Sequence, residues 1–368
     1  MRRIAFGLAA FALLAVFVGS VTLAAGTPPG TIYYGTYREA TSGLPTVTFT
    51  GWWSMNGDGT NKQSGLAVPA NGVGTREPSR LLHGGRWFLT EESVGGKYPN
   101  VWRDRMEVFA HREDGLSVQL TNDASLERGS QISLSWAHDD SFLSNAYVKW
   151  TPVVSGGNYT DAGGQQWLAT AGIYRIPIDW SGGTPVAGAP VEVLQAGFWF
   201  GAQGDYDSFR ASPNVGEVRW SPAGDRVVYR QANSVVGGTF NLKVTSFDGS
   251  GNATGTATLL TSGGWWHPAW APDGSRIAVS RVNYTNRITT IRPDGTGLLE
   301  LTNSSKDWDY EPSYSPDGAY IAFTRKTQKK VGGRTVNLWN ILRVPAGGGG
   351  VTDLTGDVAD QAKHPEWR

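Results

Sequence analysis

Two stretches of this chain read almost alike: HPAWAPDGSRIAVSR, from His267 to Arg281, and EPSYSPDGAYIAFTR, from Glu311 to Arg325. A third, EVRWSPAGDRVVYR, runs from Glu217 to Arg230. Each parses as a short strand, a tight turn and a second, apolar strand. The turn has a physical reason. Pro272 and Pro316 pre-set φ at the first corner, Asp273 and Asp317 can accept hydrogen bonds from the backbone just beyond, and Gly274 and Gly318 take the positive φ that closes a hairpin. Ile277-Ala278-Val279 and Ile321-Ala322-Phe323 are unbroken apolar runs, the mark of a strand covered on both faces.

A second motif follows each first one. It reads ITTIRPDGTGLLELT from Ile288 to Thr302 and ILRVPAGGGGVTDLT from Ile341 to Thr355. Looser copies run from Met106 to Thr121 and from Leu242 to Thr261, and the most divergent begin at Ile173 and Thr50. Each is another hairpin. Two hairpins make four antiparallel strands, which is one blade of a β-propeller. The second motif occurs six times. The first occurs at Glu77-Pro78, Ser133 to Trp136, Glu217, His267 and Glu311, and its sixth copy is split. The chain stops at His364-Pro365-Glu366-Trp367-Arg368, where the turn is due, and Thr31-Ile32-Tyr33-Tyr34 lacks its opening strand. The expected fold is therefore an all-β, six-bladed propeller of four-stranded blades, closed by a C-terminal strand that joins the N-terminal blade. Closure removes the exposed sheet edge. Roughly 57 residues fall to each blade, and the surplus over a common blade repeat is assigned to loops at Gly156 to Gln166 and Gly201 to Asn214.

These residues resemble the TolB-like, WD-type propeller repeat, whose mark is a Pro-x-Trp-Ser-Pro-Asp-Gly turn followed by an Ile-Ala-Phe-like strand. The resemblance is strongest around Trp220, Trp270 and Tyr314, fair at Trp136 and weak near Arg80. It implies a periplasmic or extracellular propeller that binds a protein or a small ligand. The family's namesake carries an α/β domain ahead of its propeller, so the implication extends to the propeller alone.

Composition agrees with this reading. Among 368 residues there are 49 glycines, 19 prolines and 16 tryptophans, so turns are frequent and large aromatics fill the gaps. Lys+Arg and Asp+Glu are both 32, which removes the usual electrostatic case for nucleic acid. With no cysteine, disulfides, thiolate metal sites and a lipidated Cys are all impossible. Arg2, Arg3, the apolar run from Ile4 to Val18 and the small residues near Ala25 read as an export signal over residues 1–26, ahead of a single domain over 27–368. The competing reading is an uncleaved anchor. No later run is apolar enough to span a bilayer. The expected location is periplasmic or secreted, as a monomer.

The repeat also places candidate functional residues. Three positions before the motif aromatic stand Glu77, Ser133, Glu217, His267, Glu311 and His364, which the register brings to equivalent places around the ring. The innermost strands of a propeller line its channel. These side chains either gather at a channel mouth, to bind a partner's basic group or a divalent cation on His267, Glu311 and His364, or each bonds the neighbouring blade. No cofactor is otherwise expected. The aromatic runs Trp52-Trp53, Phe198-Trp199-Phe200 and Trp265-Trp266 are candidates for a stacking surface, with Trp266 the first choice, or else they are core. The acidic runs Asp307 to Glu311 and Asp205 to Asp207 fit either a ligand grip or solvated turns.

No Gly-x-Ser-x-Gly elbow and no His-Glu-x-x-His pattern occurs. The favoured function is a non-enzymatic scaffold that binds a protein, a cell-envelope partner or a glycan. The alternative is a polysaccharide-active enzyme, resembling propeller lyases, with its centre on the His/Glu ring.

Overall fold

The computed structural model describes residues 27–39, 47–66, 79–82, 87–99, 104–112, 114–128, 135–137, 139–196, 215–232, 240–249, 251–261, 264–282, 286–331, 333–358 and 360–368. Among them every regular element is a β-strand, and the strands form six antiparallel sheets. In four of the sheets the strand order follows the chain, as in a propeller blade. Blade four is Val215–Trp220, Arg226–Ala232, Phe240–Phe247 and Ala253–Thr261. Blade five is Trp265–Trp270, Ile277–Val282, Asn286–Ile291 and Leu299–Glu300. Blade six is Trp308–Tyr314, Tyr320–Val331, Arg334–Pro345 and Thr352–Asp353.

The ring closes as the sequence predicts. Gln361–Trp367 pairs antiparallel with Thr31–Glu39, from Ile32 opposite Trp367 to Tyr37 opposite Gln361. Thr31 and Arg368 exchange backbone hydrogen bonds at 2.6 and 2.9 Å. Val47–Asn56 and Gln63–Leu66 complete blade one. Blade two is Ser79–Leu82, Trp87–Lys97, Asp104–Arg112 and Ser117–Gln119.

Blade three departs from the four-stranded plan. Two described segments, Leu126–Arg128 and Ser135–Trp136, both pair with the long strand Phe142–Val153. The loop expected at Gly156 to Gln166 is partly strand: Tyr159–Thr160 pairs back onto Gln166–Asp179. Tyr159 also meets Trp150 edge-on, their rings 5.2 Å apart. The extra residues thus lengthen a hairpin and cover its aromatics instead of crossing open surface. The other loop assigned to surplus residues, Gly201 to Asn214, lies outside the described residues.

The turn chemistry is the one expected. Gly274 and Gly318 sit at φ of 68° and 71°, and their N–H groups donate to Ala271 and Ser315 at 2.9 and 2.8 Å. Asp273 and Asp317 accept from Ser275 and Ala319 at 2.9 and 3.0 Å. The apolar strands behind the turns are buried on both faces, one face for each neighbouring blade. Ile277 and Val279 pack with Val228 and Trp265 of the blade four–five interface, while Ala278 packs with Ile321 and Phe323 towards blade six. Core clusters of this kind fill five of the blade interfaces among the described residues.

Candidate functional site at the propeller axis

Four inner strands share one irregularity, and it fixes the site. Glu217-Val218, His267-Pro268, Glu311-Pro312 and His364-Pro365 each place two residues opposite one on the next strand. The first residue of each bulge is left-handed, with φ of 50°, 54°, 56° and 56°. A left-handed residue other than glycine persists only where its surroundings hold it. The first residue of a bulge is left unpaired by the ladder, so its N–H needs another acceptor.

For His267 and His364 the preceding blade supplies that acceptor. Glu217 Oε2 accepts the N–H of His267 at 2.5 Å, and Glu311 Oε2 accepts the N–H of His364 at 3.2 Å. Glu217 Oε1 also binds the buried Arg230 guanidinium at 2.5 Å. Burial lowers the Arg230 pKa, against the opposing pull of Glu217. Glu311 Oε1 lies 2.9 Å from His364 Nδ1, and its Oε2 accepts from Thr324 Oγ1 at 2.8 Å. Burial would raise the Glu311 carboxyl, but the His364 charge and hydrogen bond outweigh it, helped by His267 and Thr324, and hold it well below the usual carboxylate range. His267 Nε2 stands 3.9 Å from Glu217 Oε1.

The sequence therefore places Glu217, His267, Glu311 and His364 correctly as equivalents around the axis, and the bonds between them run from blade to blade. Glu77 and Ser133 lie outside the described residues. Among the described residues no three His, Asp or Glu side chains form a group that could hold a metal ion. Trp266 is half-buried, with the Arg230 guanidinium 4.0 Å from its ring centre, while Trp265 is core. Trp52 is buried, and Trp53 packs against the blade one core. Phe198 to Phe200 and Asp205 to Asp207 lie outside the described residues. In the other acidic run, Asp309 is buried and clamps Arg325 through two bonds of 2.7 and 2.8 Å.

A cavity of about 580 Å³ opens on the turn face of the ring. Its lining begins two residues beyond the left-handed positions. Ser135, Arg219, Ala269, Ser313 and Glu366, each one residue before a motif aromatic, contribute from five blades, and Trp220, Trp270, Tyr314 and Trp367 wall it. Pro222, Pro272 and Pro316 form the rim. Arg368 joins them: it bonds Glu366 Oε1 at 3.2 Å and lies 3.7 Å from Asp140 Oδ1. Burial would lower the Arg368 pKa, but the carboxylates of Glu366 and Asp140 overcome it and raise it. Trp220 Nε1 and the Tyr314 hydroxyl are buried at this wall without a hydrogen-bond partner among the described residues.

Arg219, Ser313, Glu366 and Arg368 were not singled out by the sequence reading. The signal was present: the bulge turns the ring residue aside, so the next channel-facing side chain comes two places later in the repeat.

Among the described residues no helix is long and apolar enough to cross a membrane. No family model matches the chain. Solved structures do match in fold. TolB from Acinetobacter baumannii aligns with a TM-score of 0.53 at 14% identity, over 93% of this chain and 67% of that one. A putative TolB from Agrobacterium tumefaciens aligns with a TM-score of 0.46 at 15% identity, over 93% of this chain and 99% of that one. A puromycin hydrolase S511A mutant complexed with PGG aligns at 0.49 and 15% identity, over 90% of this chain and 47% of that one. With the blade order, the bulged inner strands and the closing C-terminal strand, the likeness to the Acinetobacter protein identifies the fold as a six-bladed TolB-like propeller.

Proposed function

We propose that this chain is an exported, non-enzymatic binding propeller whose partner seats a polypeptide segment in the turn-face cavity. One observation carries the reading. The cavity combines aromatic walls from four blades with two guanidiniums and a carboxylate. Apolar walls with a few converging polar groups are what a binding pocket requires. A peptide offers apolar side chains to the aromatic walls, a carboxylate to Arg219 and a basic group to Glu366. The His/Glu ring supports a chemical role less well, because its carboxylates already bond the neighbouring blade and buried cations. Placement in the periplasm or outside the cell rests on the leader-like residues 1–26 and on the TolB-like fold.

The test is a photo-crosslinking residue at Ala269, inside the cavity, and a control at Val186, 62% exposed on the outer extension of blade three. A specific envelope-protein adduct is expected from position 269 and not from 186. Occluding the cavity with Arg219→Trp should abolish binding of the partner so identified. Equal adducts from both positions, or binding that survives the occlusion, would overturn the proposal.

A further inference from the structure

We propose a second binding surface, at the opposite end of blade six, whose ligand is an acidic polysaccharide. From Gly318 to Thr352 there is no Asp or Glu, while Arg325, Lys326, Lys329, Lys330, Arg334 and Arg343 are all basic, in a chain of zero formal charge. Arg325 among them is held by Asp309, and Arg343 lies near the turn face, bonded to Gly57 O at 2.7 Å; the other four concentrate toward the far end of one hairpin. Its strands, Tyr320–Val331 and Arg334–Pro345, are 12 residues each, against 6 for the matching strands of blade five. The hairpin therefore projects well past its neighbour, and Gln328, Lys329 and Lys330 are exposed on it. The cavity begins at Ser313 and Tyr314, six positions along the inner strand from Trp308, which is roughly 20 Å.

One face of this projection is ordered as a recognition surface. Lys326 stands directly opposite both Trp308 and Trp339. Its ammonium lies 5.1 Å from the first ring and 5.6 Å from the second, and Lys363 of the closing strand sits 4.0 Å from Trp339. Alternate positions then bring Gln328, bonded to Asn337 at 3.3 Å, and Lys330 to the same side. The indoles hold the ammonium groups in place, so less side-chain freedom is lost on binding. The ammoniums in turn cover the indole faces, which takes the stacking platform a nucleobase needs. What is left to face a ligand is ammonium and amide. That set complements the carboxylates and hydroxyls of a polyuronate.

The experiment measures binding of the full chain to alginate by titration calorimetry. Neutral dextran, polyglutamate, phosphatidylglycerol vesicles and a single-stranded oligonucleotide serve as competitors of other classes. Alginate should bind, weaken with added salt, and bind at least about tenfold more weakly to the Lys326→Gln/Lys330→Gln variant. That variant should melt within about 2 °C of the parent, and the cavity variant Arg219→Trp should bind alginate normally. Absence of alginate binding, equal or tighter binding of any other probe, or indifference to the two lysine changes would overturn the proposal.

Discussion

The carboxylate of Glu217 joins two blades: it takes the backbone N–H of His267 on one oxygen and the Arg230 guanidinium on the other, each at 2.5 Å. Arg230 is only 1% exposed. Glu217→Ala would take the carboxylate away from a buried cation and from the His267 N–H together, and should cost roughly 3–5 kcal/mol in urea denaturation. Glu217→Gln keeps an acceptor but not the charge, and should fall between. Adding Arg230→Met to Glu217→Gln should recover part of the loss, because both buried charges then leave together. An Ala variant within about 1 kcal/mol of the parent would contradict this account of the pair.

The left-handed histidines should respond in opposite ways to the same substitution. Asn tolerates this backbone region better than most residues. His267 makes no side-chain hydrogen bond among the described residues, and its Nε2 lies 3.9 Å from Glu217 Oε1. His267→Asn should leave stability unchanged or raise it by up to about 1 kcal/mol as strain is relieved. His364→Asn removes the 2.9 Å partner of a half-buried carboxylate and should cost about 1 kcal/mol or more. Thermal melts of the two variants decide the matter, since equal shifts would mean that the backbone, not the ion pair, governs both.

Acid should draw on the stability that Glu311 contributes. Burial favours its neutral form, yet the His364 charge and hydrogen bond prevail and keep its pKa below the ordinary 4.5. A depressed folded-state pKa contributes stability that is fully present above the ordinary value and is lost as pH falls through the depressed one. The melting temperature of the parent should therefore fall more steeply between about pH 5 and pH 2 than that of Glu311→Gln, which starts lower at neutral pH. Parallel curves would remove Glu311 from the explanation.

How far the sequence could be read follows from which interactions repeat. The Pro-Asp-Gly turns and the Ile-Ala-Val and Ile-Ala-Phe strands are local, and they return in each well-matched blade, so fold and closure were legible. The equivalence of Glu217, His267, Glu311 and His364 was legible for the same reason. Their bonding was not, because it depends on a bulge whose left-handed residue carries no glycine to announce it. The cavity was missed through that same bulge, which moved its lining to Arg219, Ser313 and Glu366. Blade three resisted because its added strand, Tyr159–Thr160, pairs within an insertion that belongs to no repeat.

Closure itself is testable at Trp367. The side chain is 5% exposed, its Nε1 donates to Pro29 O at 2.9 Å, and its ring stacks on Tyr320 of blade six. Trp367→Ala should cost roughly 3–5 kcal/mol, as for other large buried aromatics. Gly30 lies against the same strand end, with φ of +86°, and a Cβ there would stand 2.3 Å from the Arg368 carbonyl oxygen. Gly30→Ala should therefore loosen the closure by a different route, by about 1 kcal/mol or more from the backbone alone. Deleting His364 to Arg368 removes both contacts, the Glu311 ion pair and much of the ladder, so its melting temperature should lie below that of either point variant. The exposed edge of Thr31–Glu39 should then promote self-association, visible by light scattering. A truncated chain that melts with the parent and associates no more than the parent does would mean that the ring does not depend on its last strand.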